Sequence, residues 1–134
     1  MILVDTGPFV ALISREDHYH ERCKEAFALM REPMLTVWPA FTETMYLLRS
    51  SLQAQEAMWK MLERGAFRIV DLDAEHCTRM RHLMLKYADL PMDLADAALV
   101  AFAERARIPR IFTLDRRDFG LYRPAGIRRF EIIP

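Results

Sequence analysis

Cysteine is nearly absent from this chain: two among 134 residues, in no C-x-x-C spacing. Cys23 and Cys77 lie far apart, each in a helix-like segment, and read as two buried, reduced thiols. No Gly/Ser tract, low-complexity run or internal repeat marks a domain boundary. Residues 1–134 are therefore read as a single domain, long enough to bury a real core. Long apolar runs are also missing. The opening Met1-Ile2-Leu3-Val4 stops at Asp5 and carries no basic flank, so neither a signal peptide nor a membrane anchor is expected, and cytoplasmic residence is the default. An excess of one charge is lacking as well. Nineteen Lys and Arg face nineteen Asp and Glu, which argues against nucleic-acid binding by bulk charge alone.

What is present is apolar and periodic. Hydrophobic residues make up 52% of the chain, too many for a disordered polypeptide. Nine methionines are many for this length; Met45, Met58, Met61, Met80 and Met84 fall in helical patterns as core filler. Short apolar runs at 2–4, 34–37, 67–70 and 110–114 read as strands, with a fifth over 128–133. Helices are expected over 8–13, 17–30, 39–48, 54–64, 74–87 and 93–105. Pro8 suits a first helical turn, and Gly65 a helix end. Strands alternating with helices imply a three-layer α/β/α sandwich around a central, mainly parallel sheet of four to five strands. In such sheets ligands bind beyond the carboxyl ends of the strands.

Four acids stand where acids are costly. Asp5 closes the first strand and Asp115 closes the run Ile111-Phe112-Thr113-Leu114. Asp96 interrupts a segment, 94–102, that is otherwise apolar on every side, so a charge there must be compensated. Glu43 is the sole charge between Glu32 and Arg49. Each has a plain alternative: a turn or helix cap for Asp5, a first-turn position for Asp96, a dipole-favoured surface site for Glu43. Asp93 reads first as the N-cap of the helix carrying Asp96. Taken together, the four fall where the chain leaves a strand or enters a helix. Those places gather at one edge of a parallel sheet. Converging carboxylates repel unless a cation neutralises them. Oxygen ligands without Cys or His select Mg²⁺, with Mn²⁺ as the alternative ion. Such an ion can hold a phosphodiester and activate a water, with no Ser, His or Cys nucleophile.

The segments Ile2-Leu3-Val4-Asp5-Thr6, Glu43, Leu94-Ala95-Asp96-Ala97-Ala98-Leu99-Val100-Ala101 and Phe112-Thr113-Leu114-Asp115-Arg116-Arg117-Asp118-Phe119 occur in an order that resembles the PIN domain, and within it the VapC-like toxins. The resemblance covers essentially the whole chain. It implies a metal-dependent endoribonuclease with Asp5, Glu43, Asp96 and Asp115 as its acidic quartet. Asp5 and Asp96 would coordinate the principal ion, Asp115 directly or through water, and Glu43 would orient water or a second ion. In-line attack on phosphorus would leave a 5′-phosphate and a 3′-hydroxyl. Thr6 and Thr113 match positions that support the acids, and Asp93 an extra acid found in part of the family. Asp118 falls near the site and is more often structural. The resemblance further implies a cognate antitoxin, whose Arg often reaches the acids, and a homodimer.

Remaining features are weighed against this reading. After Asp96 all eight basic residues are Arg, against four acids. Arg116 and Arg117 adjoin Asp115 and can contact RNA phosphates or pair with Asp118. His18 and His20 lack a third ligand and fit a loop and helix start. His76 and His82 are expected on a helix surface. The large apolar residues from Met45 to Leu62 are mostly core, the remainder serving as a groove for an antitoxin segment or a dimer contact. Two other functions compete: a PIN nuclease of RNA maturation or flap-like DNA without an antitoxin, and a non-catalytic phosphoacceptor module. The latter wants a Lys near its acids. Lys24, Lys60 and Lys86 are the only lysines, and none follows an expected strand.

Overall fold

The structure, a computed structural model, covers residues 1–134. Five short strands, β1 (Ile2–Val4), β2 (Met34–Val37), β3 (Arg68–Val70), β4 (Arg110–Phe112) and β5 (Glu131–Ile133), form one sheet in the order β3-β2-β1-β4-β5. Every neighbouring pair is parallel, with Leu3 opposite Leu35 on one side and Ile111 on the other. Seven helices connect them: α1 (Thr6–Ile13), α2 (His20–Leu29), α3 (Trp38–Leu47), α4 (Leu52–Glu63), α5 (Ala74–Lys86), α6 (Leu94–Ala106) and α7 (Arg116–Leu121).

Alternation along the central strand separates two cores. Ile2 and Val4 of β1 pack with Phe9, Phe41, Met58, Phe67 and Phe112 beneath the first four helices. Leu3 faces the opposite side, with Leu99, Ile111, Phe119 and Tyr122 under α5 to α7. The side chains of β1 are buried on both faces, as a sheet covered by helices on both sides requires. Each such aliphatic side chain stabilises the fold by about 1.5–3 kcal/mol on burial. α6 lies inside this frame: Ala95 through Ala101 are all buried, which matches its apolar circumference.

Several boundaries differ from expectation for local reasons. α2 starts at His20 rather than near Asp17, because the Asp17 carboxylate accepts from the Tyr19 N–H at 2.8 Å and turns the chain first. α4 begins at Leu52, where Ser51 caps the N–H of Ala54. Gly65, at φ +76°, closes α4 with its N–H on the carbonyl of Leu62 and that of Ala66 on Met61; this positive φ is where glycine is favoured. α7 has no counterpart among the expected helices. His76 is buried rather than on the surface: it completes a reciprocal cap with Asp73 and stacks on Phe102 at 5.6 Å between ring centres. Cys77, one residue on, turns out to solvent, so only Cys23 is a buried thiol.

Candidate metal centre

The chain runs β1 to β2 to β3 outward on one side, then returns to β4 and β5 on the other. The reversal lies between β1 and β4, the place where open parallel sheets leave a crevice past their carboxyl ends. Asp5 follows β1 and Asp115 follows β4 by three residues, so both stand at this crevice.

Asp5 is 8% exposed and both its oxygens are engaged. Oδ1 accepts the Thr6 N–H at 2.8 Å, capping α1, and Oδ2 accepts the Thr113 hydroxyl at 2.8 Å. Thr113 itself accepts the Asp115 N–H at 3.0 Å, tying the two strand ends together. Burial pushes the Asp5 carboxyl up to about 6, against the pull of those hydrogen bonds and with a further push from Asp93 and Glu43. Across the crevice, Thr6 donates its hydroxyl to the Ala40 carbonyl at 3.3 Å and Glu43 Oε2 at 3.1 Å. Glu43 lies in the second turn of α3, half-buried.

Asp96 sits in the first turn of α6, whose cap is Asp93: the Asp93 carboxylate accepts the Asp96 N–H at 2.8 Å. Both plain readings at this helix start therefore hold, yet the cap does not neutralise Asp96. Burial first, then the charge of Asp5, lifts its carboxyl to about 8. One polar group offsets this. Tyr122, fully buried, donates its hydroxyl to Asp96 Oδ2 at 2.7 Å, and burial together with Asp96 raises the phenol well above its ordinary range.

Oxygens of Asp96, Asp115 and Asp118 come within 4.8 Å of one another. Asp115 caps α7 by accepting the Asp118 N–H at 3.0 Å, and burial plus the nearby Asp115 raise the Asp118 carboxyl. Asp118 therefore stands within the acidic group rather than beside it. Asp5 and Glu43 border this triplet without belonging to it. None of these acids forms an ion pair with Arg, Lys or His; all eight ion pairs lie elsewhere. Arg116 instead donates to the carbonyl of Pro134, and neither it nor Arg117 pairs with Asp118.

One residue of the site escapes a reading of the sequence, and another is assigned there to structure rather than to the acidic group. Tyr122 stands in no motif, and its bond to Asp96 spans 26 positions. Asp118 has a signal, its spacing of three from Asp115, which is that of a helix cap and its N3 residue.

The donor set is made of carboxylate oxygens alone, and none is ion-paired with a cationic side chain. Such a group fits a small hard divalent ion, and its oxygens need one to remain ionised together at neutral pH.

Comparison with known proteins follows the same lines. The PIN domain family model matches residues 2–126. Ribonuclease VapC26 of Mycobacterium tuberculosis is 30% identical over 135 aligned positions, spanning 99% of this chain and 100% of the relative. Among solved structures, M. tuberculosis VapC20, a sarcin-ricin loop cleaving toxin, superposes with a TM-score of 0.80 at 19% identity, over 87% of this chain and 92% of that one. A toxin–antitoxin complex from Klebsiella pneumoniae gives 0.71 at 18% identity over 98% and 100%. VapBC2 of Rickettsia felis, bound to promoter DNA, gives 0.68 at 13% identity over the full length of both chains.

Proposed function

We propose a function on one premise: this chain belongs to the PIN-domain family. It is a ribonuclease of the VapC toxin type, a hydrolase acting on phosphodiester bonds. The observation that carries this reading is the meeting of unpaired carboxylates at the β1–β4 crevice.

In this reading the ion is Mg²⁺, with Mn²⁺ as the alternative. Asp5, Asp96 and Asp115 would hold it, and Asp118 would join them because its oxygens lie with those of Asp96 and Asp115. When bound, the ion supplies Lewis-acid polarisation of a phosphoryl oxygen and of a water. The chain's residues supply position. Thr113 fixes Asp5 and the Asp115 backbone with one hydroxyl. Thr6 holds Glu43 at the rim, where its carboxylate would orient the attacking water. Tyr122 locks one oxygen of Asp96 and leaves the other free. Asp93 acts as the cap of α6 rather than as a ligand.

The substrate is RNA. The partners are a cognate antitoxin and a second copy of this chain, and the setting is the cytoplasm. Three of the similar solved structures are toxin–antitoxin assemblies, which supports the antitoxin. Exposed Trp38, Tyr46, Leu47 and Leu52 on α3 and α4 offer apolar surface for such contacts. No helix is long and apolar enough to cross a membrane.

The deciding experiment is RNA cleavage by the purified protein. Cleavage should require Mg²⁺ and stop with chelator. Asp96→Asn should cut about a hundredfold more slowly or worse, beyond the loss caused by removing an outer partner of a metal ligand, while circular dichroism shows an intact fold. Full activity of Asp96→Asn would end this reading. Growth arrest on expression, relieved by the neighbouring small reading frame, would test the toxin assignment separately.

A further inference from the structure

A cationic pocket borders the acidic crevice. Between the start of α2 and the β4–α7 junction lies a pocket of about 240 Å³, walled by Tyr19, Arg22, Arg116 and Arg117, with Thr113 and Asp115 on the side of the acids. Three guanidinium groups face one carboxylate, so the pocket is positive where the crevice is negative. The hollow on the opposite flank, lined by Trp38, Tyr46, Glu43, Asp93 and Leu94 among others, contains acids and no basic residue. Arg49 stands over the Tyr46 ring of that hollow at 3.9 Å, but the cluster of three arginines lies on the α2 side.

The cations of this pocket are available. Arg22 and Arg117 have no carboxylate within ion-pair distance. Both are exposed, whereas Arg116 is tethered to the Pro134 carbonyl. The wall they belong to is fixed. Asp17 holds the Tyr19 N–H at 2.8 Å, and the His20 ring meets the Ala11 carbonyl at 2.7 Å, pinning the α1–α2 turn to α1. The Tyr19 ring, 41% exposed, stands at the mouth with His18 packed edge-on against it at 4.9 Å.

We propose that this pocket is a phosphate-binding subsite for the RNA strand: Arg22 and Arg117 clamp a phosphodiester next to the one being cut, and the Tyr19 ring receives the adjoining base. The inference rests on the nuclease reading and adds α2, none of whose acids belongs to the crevice, to the substrate path. A polyanion laid across carboxylates needs an anchor that does not depend on the metal. Planar guanidinium groups grip phosphate oxygens in pairs, and an exposed aromatic ring accepts any base by stacking.

The test separates this subsite from the chemistry. A fluorescein-labelled single-stranded RNA of mixed sequence is titrated with Asp5→Asn protein in Mg²⁺ over a range of KCl, and anisotropy is followed. Adding Arg22→Ala and Arg117→Ala should make the plot of log affinity against log salt shallower by about 1.4, roughly 0.7 for each phosphate charge that is no longer neutralised. Affinity at low salt should fall about tenfold. Arg128→Ala with Arg129→Ala removes the same two charges just before β5, at the amino edge of the sheet, and should leave the slope as it was. In the otherwise native enzyme the Arg22/Arg117 pair should raise KM and spare kcat. An Arg22/Arg117 double variant indistinguishable from the Arg128/Arg129 double variant would overturn the subsite even if cleavage and its acid dependence stand. Cleavage persisting in Asp5→Asn would count against the acid assignments while the arginine comparison is still read through KM.

Discussion

A phenol buried beside a carboxylate has little choice but to donate, and Tyr122 does so to Asp96 at 2.7 Å. Its ring is held edge-on by Tyr87 and Phe119 at 5.0 and 5.2 Å, so the hydroxyl has no other place to go. The bond restricts Asp96 to one orientation about its side-chain torsion. Tyr122→Phe keeps the ring and removes that restraint. Mg²⁺ affinity, measured by calorimetry, should weaken about 10- to 100-fold, as when other hydrogen-bond partners of metal ligands are removed. Unfolding free energy should change by only about 1–3 kcal/mol, the cost of an unsatisfied buried polar group. Unchanged Mg²⁺ affinity would reduce Tyr122 to packing. Thr113 belongs to the same scale. One hydroxyl, donating to Asp5 and accepting from Asp115, couples positions 108 and 2 residues away from it, a geometry only the closed sheet creates.

At the scale of elements, the acids that begin helices do two jobs that sequence alone does not separate. Asp93 caps α6 and lies near enough to Asp5 and Asp96 to raise both. Asp93→Ala should cost about 1 kcal/mol of stability in a thermal or urea melt, the usual effect of removing a cap. Asp93→Asn should retain the cap and leave Mg²⁺ affinity within about threefold, since an amide caps as well as a carboxylate. A large loss of Mg²⁺ affinity in the Asn variant would make Asp93 a ligand after all. Much at this scale is legible in the residues. The buried strand pattern of β1, the apolar circumference of α6 and the parallel sheet all follow from residue order. Other features are not. α7 is six residues with no apolar period, nucleated by the Asp115 cap, so no pattern announces it. Without α7, Asp118 has no reason to turn inward. The start of α2 depends on the Asp17 side chain competing with the helix for backbone N–H groups, a contest that periodicity does not register. His76 departs from expectation for a related reason: its ring serves a cap and a stacked partner on α6, and the partner is unknown until the helices are paired.

For the molecule as a whole, the cluster of buried carboxyls at the β1–β4 crevice is a destabilising feature. Asp5 and Asp96 have carboxyls raised from 3.8 to about 6 and about 8. The folded, metal-free protein therefore holds protons that the unfolded chain releases. Below about pH 4 both states are protonated and these groups do not oppose folding. As pH rises towards 6 and then 8, the unfolded chain ionises first and stability drains away, until the folded carboxyls ionise too. A divalent ion reverses the sign, because it binds only the ionised oxygens and only in the folded arrangement. In chelator, the melting temperature should fall between about pH 5 and about pH 8, with other groups' contributions measured by the same series on Asp96→Asn. With saturating Mg²⁺ the fall should shrink, so that the gain from the ion is small near pH 5 and largest near pH 8. Asp96→Asn should show a flatter melting profile in chelator and a smaller gain from Mg²⁺ at every pH. A gain from Mg²⁺ equal at both ends of the range would mean that the ion stabilises some other part of the fold. The carboxylates at the β1–β4 crevice would then not be what ties this protein's stability to its cation.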